Sequence, residues 1–354
     1  MESTQVHVTQ SVICSMLHLC LVAIIIAAGR AAVASPPAKI AVIGATGKVG
    51  RSAVQQLVSR GYKPRILLRH PASVPAPSSM PGADAPPAEV ASFLASLPGV
   101  ETISGDVTDP KSCEALVSGC SAVLALHGAR RTRQLSDLWR NPEEEAGHAK
   151  QINYQGVANL IEAARASRTC KRIIRLTGKG ETPWSIFSIL INGLGSMAKA
   201  WNYEGERLLR ACDDIEYTIV RPGVMRGEEA DLPPASLVLG DDGADLKVTS
   251  IPHGSIAALC IDSLGYANAG RCTLCAMASE EPGTGADSWA PLLEKVAPDR
   301  RAFRDDLLAE HKRATTLGGA GLVVGLGAFA SAVAAVVVLA LKALAAAVLG
   351  LMAR

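Results

Sequence analysis

The stretch KIAVIGATGKVGRSAVQQLVSRG, Lys39–Gly61, is the part of the chain that best indicates its fold. A strand pattern, a glycine-rich turn and a helix pattern follow one another in it without a gap. The apolar run that ends at Ile43 is typical of a buried parallel strand, and Val54 and Leu57 follow at helical spacing. Three glycines lie between the two patterns: Gly44, Gly47 and Gly50. This order predicts the first strand, turn and helix of a dinucleotide-binding, Rossmann-like α/β fold.

The glycines of this turn have a chemical use as well as a structural one. Glycine adopts positive φ in a tight turn, and its missing Cβ lets backbone N–H groups approach a pyrophosphate at the positive end of the following helix. The turn therefore predicts a dinucleotide site, with six contact residues: Gly44, Thr46, Gly47, Lys48, Val49 and Gly50.

The spacing within the turn, TGKVG from Thr46 to Gly50, resembles the TGxxG turn of the short-chain dehydrogenases/reductases. More narrowly, the chain resembles their atypical, NmrA-like branch from about Lys39 to Met277. Three further motifs carry the resemblance: Gly105-Asp106-Val107-Thr108-Asp109, Asn153-Tyr154-x-Gly156 and Tyr217-Thr218-Ile219-Val220-Arg221-Pro222-Gly223. The resemblance implies a doubly wound parallel sheet that binds NAD or NADP.

The second predicted strand, Lys63–Leu68, ends at Arg69 and not at an acidic residue. In related folds an acidic side chain at this point takes the ribose 2′-hydroxyl, whereas an arginine accommodates the 2′-phosphate of NADP. Arg69 therefore favours NADP, and NAD stays an alternative. A solvated surface arginine is the other interpretation of Arg69, and Lys48 or Arg51 in the turn could share its role.

The resemblance also implies further contacts with the cofactor. Asp106 and Val107 would border the adenine, Gly128 would lie beside the ribose and nicotinamide, and Pro222 would shape the nicotinamide pocket. Asn153 matches an asparagine that organises the active site in the wider family. Two alternatives stay open: Asp106 as a turn-forming or helix-capping carboxylate, and Asn153 as a helix-packing amide.

The helix that should carry the catalytic residues departs from the family pattern. The best-known reaction of the superfamily uses a Tyr-x-x-x-Lys pair, in which lysine lowers the pKa of the tyrosine. Alignment on Glu206 puts Ala198 at the tyrosine position and Asn202 at the lysine position, so the pair is absent. Tyr203 and Arg207 have the same spacing one turn later, and an arginine can stabilise a phenolate. Their use would require a register shift of about one turn, and the alternative is that Tyr203 packs in the core while Arg207 is solvated.

Two further features bear on catalysis. Thr177 follows the predicted strand Arg172–Leu176, where the family usually places a hydroxyl that hydrogen-bonds a substrate carbonyl. Glu181–Trp201 is an apolar, glycine-containing segment that would lie over the nicotinamide end of the cleft. It predicts a hydrophobic substrate pocket or a membrane-facing lid, with core packing as the alternative.

Both ends of the chain are apolar. Residues 1–34 read as a signal peptide or an uncleaved signal anchor, and Leu317–Leu341 is an uncharged run long enough to cross a bilayer as a helix. The sequence therefore predicts a single-pass or doubly anchored membrane protein of the endomembrane or secretory pathway, with the side of the membrane left open.

Composition limits the remaining classes of function. The net charge is only +2 and aromatic residues make up 4%, which argues against a nucleic-acid surface. The nine cysteines show no disulfide framework, and no metal site is predicted. Between the ends, residues 39–304 form one predicted NAD(P)-binding domain, with a Pro/Ala-rich and flexible surface insertion at residues 71–98.

Two functions follow from these observations. The first is an atypical NADP-dependent oxidoreductase or isomerase-like enzyme that acts on a small apolar molecule. The second is a non-catalytic NADP-binding redox sensor or scaffold at a membrane. The missing Tyr-x-x-x-Lys pair favours the second, whereas the intact turn and Thr177 keep the first open.

Overall fold

An eight-stranded sheet forms the centre of the described chain and is parallel except for one edge strand. The computed structural model describes residues 39–69, 74–82, 84–138, 140–227, 231–319, 321, 333–334 and 336–337. In chain order the strands are β1 Lys39–Ile43, β2 Lys63–Leu68, β3 Glu101–Ser104, β4 Ala122–Ala125, β5 Arg172–Leu176, β6 Glu216–Pro222, β7 Val224–Met225, β8 Leu237–Gly240, β9 Ser250–Ile251 and β10 Cys272–Ala278.

The strand order in the large sheet is β3-β2-β1-β4-β5-β6-β10-β8, and β7 pairs with β9 in a separate two-stranded sheet. The chain winds outward from β1 in one direction and then, from β4, in the other. The reversal lies between β1 and β4, and ligands of open α/β sheets bind at such a point, outside the carboxyl ends of the strands. The predicted Rossmann-like α/β fold is confirmed.

Helices cover both faces of the sheet. They are α1 Lys48–Ser59, α2 Pro87–Ser96, α3 Pro110–Val117, α4 Gly156–Ser167, α5 Ile186–Leu194, α6 Ala198–Arg210, α7 His253–Asp262 and α8 Ala290–Leu293. A π-helical turn, Lys150–Gln155, leads directly into α4. Residues 307–319 are also helical and are called the C-terminal helix below.

The alternation of β1 side chains divides the core into two layers. Ile40 and Val42 face one layer, which contains buried residues of α1, α2, α7 and α8. Ala41 and Ile43 face the other layer, which contains buried residues of α3, α4 and α6. Because successive strand residues point to opposite faces, a strand buried on both sides must be apolar at every position, as β1 is after Lys39.

The segment predicted as a flexible surface insertion is partly a packed helix. Residues 71–73 and 83 lie outside the described residues, but α2 occupies the second half of the segment. Its Val90 and Leu94 are fully buried and belong to the same core layer as α1. The prolines begin this helix instead of breaking it, because proline is tolerated in a first helical turn.

The two predicted membrane segments lie at the two ends of the chain. The leader, residues 1–34, lies outside the described residues, and so does most of Leu317–Leu341. Within the described part of the chain, no helix has the length and apolar character needed to cross a membrane.

Candidate functional site

The turn between β1 and α1 is a tight cradle at an open helix end. Gly44 has φ +80°, and a Cβ on it would lie 2.7 Å from the Leu126 carbonyl oxygen. A Cβ on Gly50 would lie 2.0 Å from the Gly44 carbonyl oxygen, so α1 begins directly against the turn. No side chain caps α1 at Gly47, and its first turn contains no acidic residue. The Gly47 N–H donates to the Gly44 carbonyl oxygen at 3.0 Å, and the uncapped first turn of α1 presents backbone N–H groups that fit a pyrophosphate.

A cavity of about 350 Å³ lies at this helix end, outside the carboxyl ends of the strands on both sides of the reversal. The structure brings seven of the predicted cofactor residues together in its wall: Gly44, Thr46, Gly47, Arg69, Asp106, Val107 and Gly128. Lys48 is exposed at the start of α1, and Val49 and Gly50 are buried beneath the turn. None of these three residues lines the cavity, so Val49 and Gly50 would contribute to cofactor binding only through backbone N–H groups and close packing.

The predicted adenine end of the cavity contains Asp106 and Arg69. Asp106 Oδ1 accepts hydrogen bonds from the backbone N–H and the hydroxyl of Thr108, both at 2.9 Å. The carboxylate therefore stabilises the turn that leads to α3, which is the turn-forming role predicted as an alternative. It also lines the cavity. Arg69 is exposed at the end of β2 and lines the same cavity, which leaves its guanidinium open to a ligand phosphate.

His127 and Arg175 support the wall after β4. Arg175 is fully buried, and its Nη1 donates to the carbonyl oxygens of Ala125 at 3.1 Å and His127 at 2.7 Å. His127 Nε2 lies 3.2 Å from the Ile152 carbonyl oxygen, so Nε2 carries the proton. Burial and the nearby Arg175 charge hold the pKa of His127 well below its usual range. His127 therefore stays neutral and structural near pH 7.

Asn153 connects the cavity wall to α6. Its side chain is fully buried, Oδ1 accepts from the Ala129 N–H at 3.0 Å, and Nδ2 donates to the Ala198 carbonyl oxygen at 3.2 Å. Asn153 is placed by the π-helical turn before α4, a feature common at functional sites. The amide thus positions Ala129, which lines the cavity, without lining it itself.

Thr177 lies in a buried charge cluster. Its Oγ1 donates to Glu206 Oε1 at 2.6 Å, and Arg221 Nε donates to the same oxygen at 3.1 Å. Arg210 and Arg221 both bind Glu206 Oε2. Burial alone would raise the pKa of Glu206, but the two arginines hold it at about 2. The Thr177 hydroxyl therefore donates its hydrogen bond to the Glu206 carboxylate. The sequence predicted a hydrogen bond from this hydroxyl to a substrate carbonyl.

The structure does not bring Tyr203 and Arg207 to the cavity. Tyr203 is 1% exposed, and its hydroxyl donates to the Arg304 carbonyl oxygen at 2.9 Å. Burial, with Glu181 nearby, raises the pKa of Tyr203 to about 12, which is opposite to what a phenolate needs. Arg207 Nη1 instead donates to Glu204 at 2.8 Å and lines a different surface pocket. Although Tyr203 and Arg207 are one turn apart, they serve separate contacts.

Pro222 ends β6 beside Ala276 of β10, at the carboxyl edge of the sheet but outside the wall of the cavity. Two further residues near this edge escaped the sequence prediction. Arg175 follows two isoleucines in the strand RIIRL, residues 172–176. Lys199 lies in the apolar segment 181–201. The sequence pattern that could have indicated both residues is a single cation within an apolar run. Burying a charge costs free energy, so such a cation is expected to have a specific partner or function.

These features define an α/β dinucleotide-binding protein with a TGxxG turn. The chain matches the NAD(P)H-binding family over residues 44–266, which is more than half of its length, and it belongs to that family. It therefore binds NAD(P)H, as predicted. The fold implied by the resemblance to the short-chain dehydrogenases/reductases is also confirmed.

Three known proteins show the extent of the similarity. An uncharacterised chloroplast protein of Arabidopsis thaliana is 24% identical over 67% of this chain and 75% of its own length. The ceramide reductase of Caulobacter vibrioides is 27% identical, but over only 36% of this chain and 31% of its own. A short-chain dehydrogenase/reductase of Veillonella parvula, solved with NADP, superimposes with a TM-score of 0.51 at 14% identity, covering 71% of this chain and 98% of that one. The last comparison shows the shared fold.

Proposed function

We propose that this protein is an NADP-dependent reductase of carbonyl compounds that have an apolar body. The observation that carries the proposal is the cavity at the uncapped start of α1, which combines the glycine cradle with the exposed Arg69.

The preference for NADP rests on Arg69. It is exposed at the end of β2, where a Rossmann-like protein meets the adenosine ribose, and the cavity wall contains no acidic side chain from β2. A guanidinium can bind a 2′-phosphate through two parallel hydrogen bonds. Of the two other cations near the turn, Arg51 binds the Pro81 and Gly82 carbonyl oxygens, whereas Lys48 is exposed at the start of α1 and can share the 2′-phosphate with Arg69.

The apolar character of the substrate rests on α5 and the loop before it. Trp184, Ile186, Phe187, Leu190 and Leu194 are all exposed, and Phe187 alone is 61% accessible. Exposed apolar side chains in such number commonly mark a ligand-binding or membrane-contact surface. The partial similarity to a protein named ceramide reductase supports a reductive role.

The chain's own residues then have separate tasks. Bound NADPH supplies a hydride to the substrate. Gly44, Gly47 and the α1 N-terminus hold the pyrophosphate, and Arg69 holds the ribose phosphate. Asn153 fixes the distance between the cavity wall at Ala129 and the first turn of α6. The apolar residues of α5 orient the substrate and exclude water from it.

The same surface supports a location at a membrane. A Cβ on Gly318 would lie 2.5 Å from Ile189 Cδ1, so the C-terminal helix packs on α5 where the uncharged run Leu317–Leu341 begins. Leu317 is exposed beside this contact. A bilayer holding residues 317–341 would therefore lie next to the apolar side chains of α5, and a lipid-soluble substrate would reach them directly.

A non-catalytic NADP-binding sensor is the second candidate, and one observation favours it. The hydroxyl protons of Thr177 and Tyr203 are both committed to protein acceptors. The sensor predicts NADPH binding without turnover.

Two measurements on the full-length chain test the proposal. NADPH binding is followed by the change in nicotinamide fluorescence, and NADPH oxidation is followed against long-chain ketones, enals and quinones. Binding with oxidation supports the reductase, and Thr177→Ala and Tyr203→Phe then keep most of the turnover. Binding without oxidation across the panel favours the sensor, and failure to bind NADPH contradicts both.

A further inference from the structure

Lys199 stands in the first turn of α6, one residue after the position of the missing tyrosine, Ala198. Its ammonium donates to Ser188 Oγ at 2.6 Å and lies 5.6 Å from the centre of the Phe187 ring. Lys199 makes no ion pair with any carboxylate of the described residues. A half-buried lysine that has only a hydroxyl and an aromatic ring as partners has donor capacity left for a ligand.

The fold places Lys199 at the nicotinamide end of the cleft. The cavity runs from Asp106 after β3, across the glycine turn after β1, to Gly128 after β4. The next strands of the sheet are β5 and β6, so the rest of a bound dinucleotide extends toward their carboxyl ends. Asn153 binds the Ala198 carbonyl oxygen and the N–H of Ala129 in the cavity wall, so the residue before Lys199 is tied to that wall. Lys199 itself lies close enough to Lys179 after β5 and Arg221 in β6 for their charges to act on it.

The charges around Lys199 favour loss of its proton. Burial first, then the charges of Lys179 after β5 and Arg221 in β6, lower the pKa of Lys199 to about 8. Lys179 pairs with Asp245, and Arg221 pairs with Glu181 and Glu206. His311 of the C-terminal helix also faces this region, but it is held between Asn192 and the Gly180 carbonyl, and burial lowers its pKa. Among the described residues, no acidic group therefore opposes deprotonation of Lys199 directly.

Ser188 and Ser185 connect Lys199 to solvent. Ser188 is fully buried, and its Oγ lies between the Lys199 ammonium at 2.6 Å and Ser185 Oγ at 2.8 Å. Ser185 is only partly buried at the start of α5. Each serine hydroxyl is both a donor and an acceptor, so this row of three groups can pass a proton inward.

We propose that Lys199 donates the proton in carbonyl reduction and that Ser188 and Ser185 return a proton to it from water. The step rests on the reductase proposed above. As the carbonyl carbon accepts the hydride, the C=O π pair moves to the oxygen, which takes a proton from the Lys199 ammonium. The products are an alcohol, oxidised cofactor and neutral lysine. Ser188 then protonates the amine, Ser185 protonates Ser188, and water protonates Ser185.

The first experiment locates Lys199 and measures its titration without a substrate. The full-length chain is labelled briefly with acetic anhydride between pH 6 and 11, and Lys199 and the exposed Lys111 are compared by mass spectrometry. We expect a midpoint near pH 8 for the labelling of Lys199. Saturating NADP should reduce the labelling of Lys199 at least threefold and leave Lys111 unchanged. If NADP binds without protecting Lys199, the proposal is wrong while the reductase survives. If NADP does not bind, the reductase itself fails.

The second experiment uses any carbonyl compound that the wild type reduces. Lys199→Arg keeps a charge but releases its proton far less readily, so kcat should fall about 100-fold or more while KM changes less than about threefold. Wild-type kcat/KM should fall as pH rises above about 8, because the donor is then neutral. Lys111→Met is the control and should match the wild type. Full activity in Lys199→Arg would overturn the donor role, and full kcat in Ser188→Ala would overturn the relay.

Discussion

Asn202 Oδ1 accepts a hydrogen bond from Arg175 Nη2 at 2.8 Å, so the residue at the family's lysine position binds a buried guanidinium from β5. The same guanidinium holds the carbonyl oxygens of Ala125 and His127. A positive charge is therefore still present beneath the cavity wall, although it comes from the sheet and not from the helix. It is too deeply buried to act on a substrate, and it serves to fix the chain after β4.

Replacement of Asn202 tests this structural role. Asn202→Leu leaves a buried charged donor without its acceptor, which should lower the free energy of unfolding by about 1–3 kcal/mol. Asn202→Asp keeps an acceptor oxygen and should stay close to the wild type. Urea denaturation of both variants checks the difference, and equal losses in the two would show that the contact itself does not matter.

Gly50 should be intolerant of any side chain. Because a Cβ there would lie 2.0 Å from the Gly44 carbonyl oxygen, Gly50→Ala must push α1 away from the turn. We expect a loss of about 1–3 kcal/mol in stability and a marked loss of NADPH affinity. Gly82→Ala is the matched control, since nothing lies within 4 Å of its added Cβ. Urea denaturation and NADPH titration compare the two variants. Equal stability and equal NADPH affinity in Gly50→Ala and Gly82→Ala would contradict the cradle geometry.

The cofactor half of the site was predictable from the sequence because it is local. Gly44, Thr46 and Gly47 are fixed by one turn, and Arg69 and Asp106 simply follow the strands that the turn implies. In a parallel sheet, residues after neighbouring strands meet at one edge, so order along the chain becomes proximity in space.

The catalytic half was not predictable, because it depends on contacts between distant segments. Tyr203 and Arg207 have the spacing of a catalytic pair, but the loop before the C-terminal helix supplies Arg304, whose carbonyl takes the Tyr203 proton. Thr177 is likewise taken by Glu206, 29 residues later. The spacing of residues along one helix does not show which of its side chains form hydrogen bonds with distant segments of the chain.

Arg69 should determine the choice between the two nicotinamide cofactors. Removing the guanidinium in Arg69→Ala removes its bonds to the 2′-phosphate, so NADPH should lose about tenfold or more in affinity, roughly 1.5–3 kcal/mol, while NADH changes little. Arg140, also exposed but away from the cavity, supplies the control variant Arg140→Ala. Parallel titrations with both cofactors check the prediction. Equal wild-type affinities for NADPH and NADH would rule out the NADP preference.

Glu206 should make stability depend on acidic pH. Its folded pKa, about 2, lies below the ordinary 4.5, because Arg221 and Arg210 outweigh the effect of burial. Its contribution is therefore complete above pH 4.5 and is lost as pH falls from 4.5 toward 2. Glu206→Gln should cost about 3–5 kcal/mol at neutral pH, because it leaves two buried arginines without their anion, and should flatten the acid side of the stability curve. The exposed Glu162→Gln is the control and should do neither. Urea denaturation between pH 2 and 7 makes the comparison.

Trp184 should report whether α5 lies against a bilayer. The side chain is 51% exposed at the start of the apolar surface, whereas Trp289 is buried and its Nε1 donates to the Ser255 carbonyl oxygen. When the full-length chain is reconstituted into vesicles of brominated phospholipid, bromine should quench Trp184 by contact but not Trp289. Trp184→Phe should therefore remove most of the quenching, and Trp289→Phe should keep it. Because quenching requires close approach to the lipid, equal quenching in the two variants would place the apolar face of α5 away from the membrane, and its side chains would then serve the substrate alone.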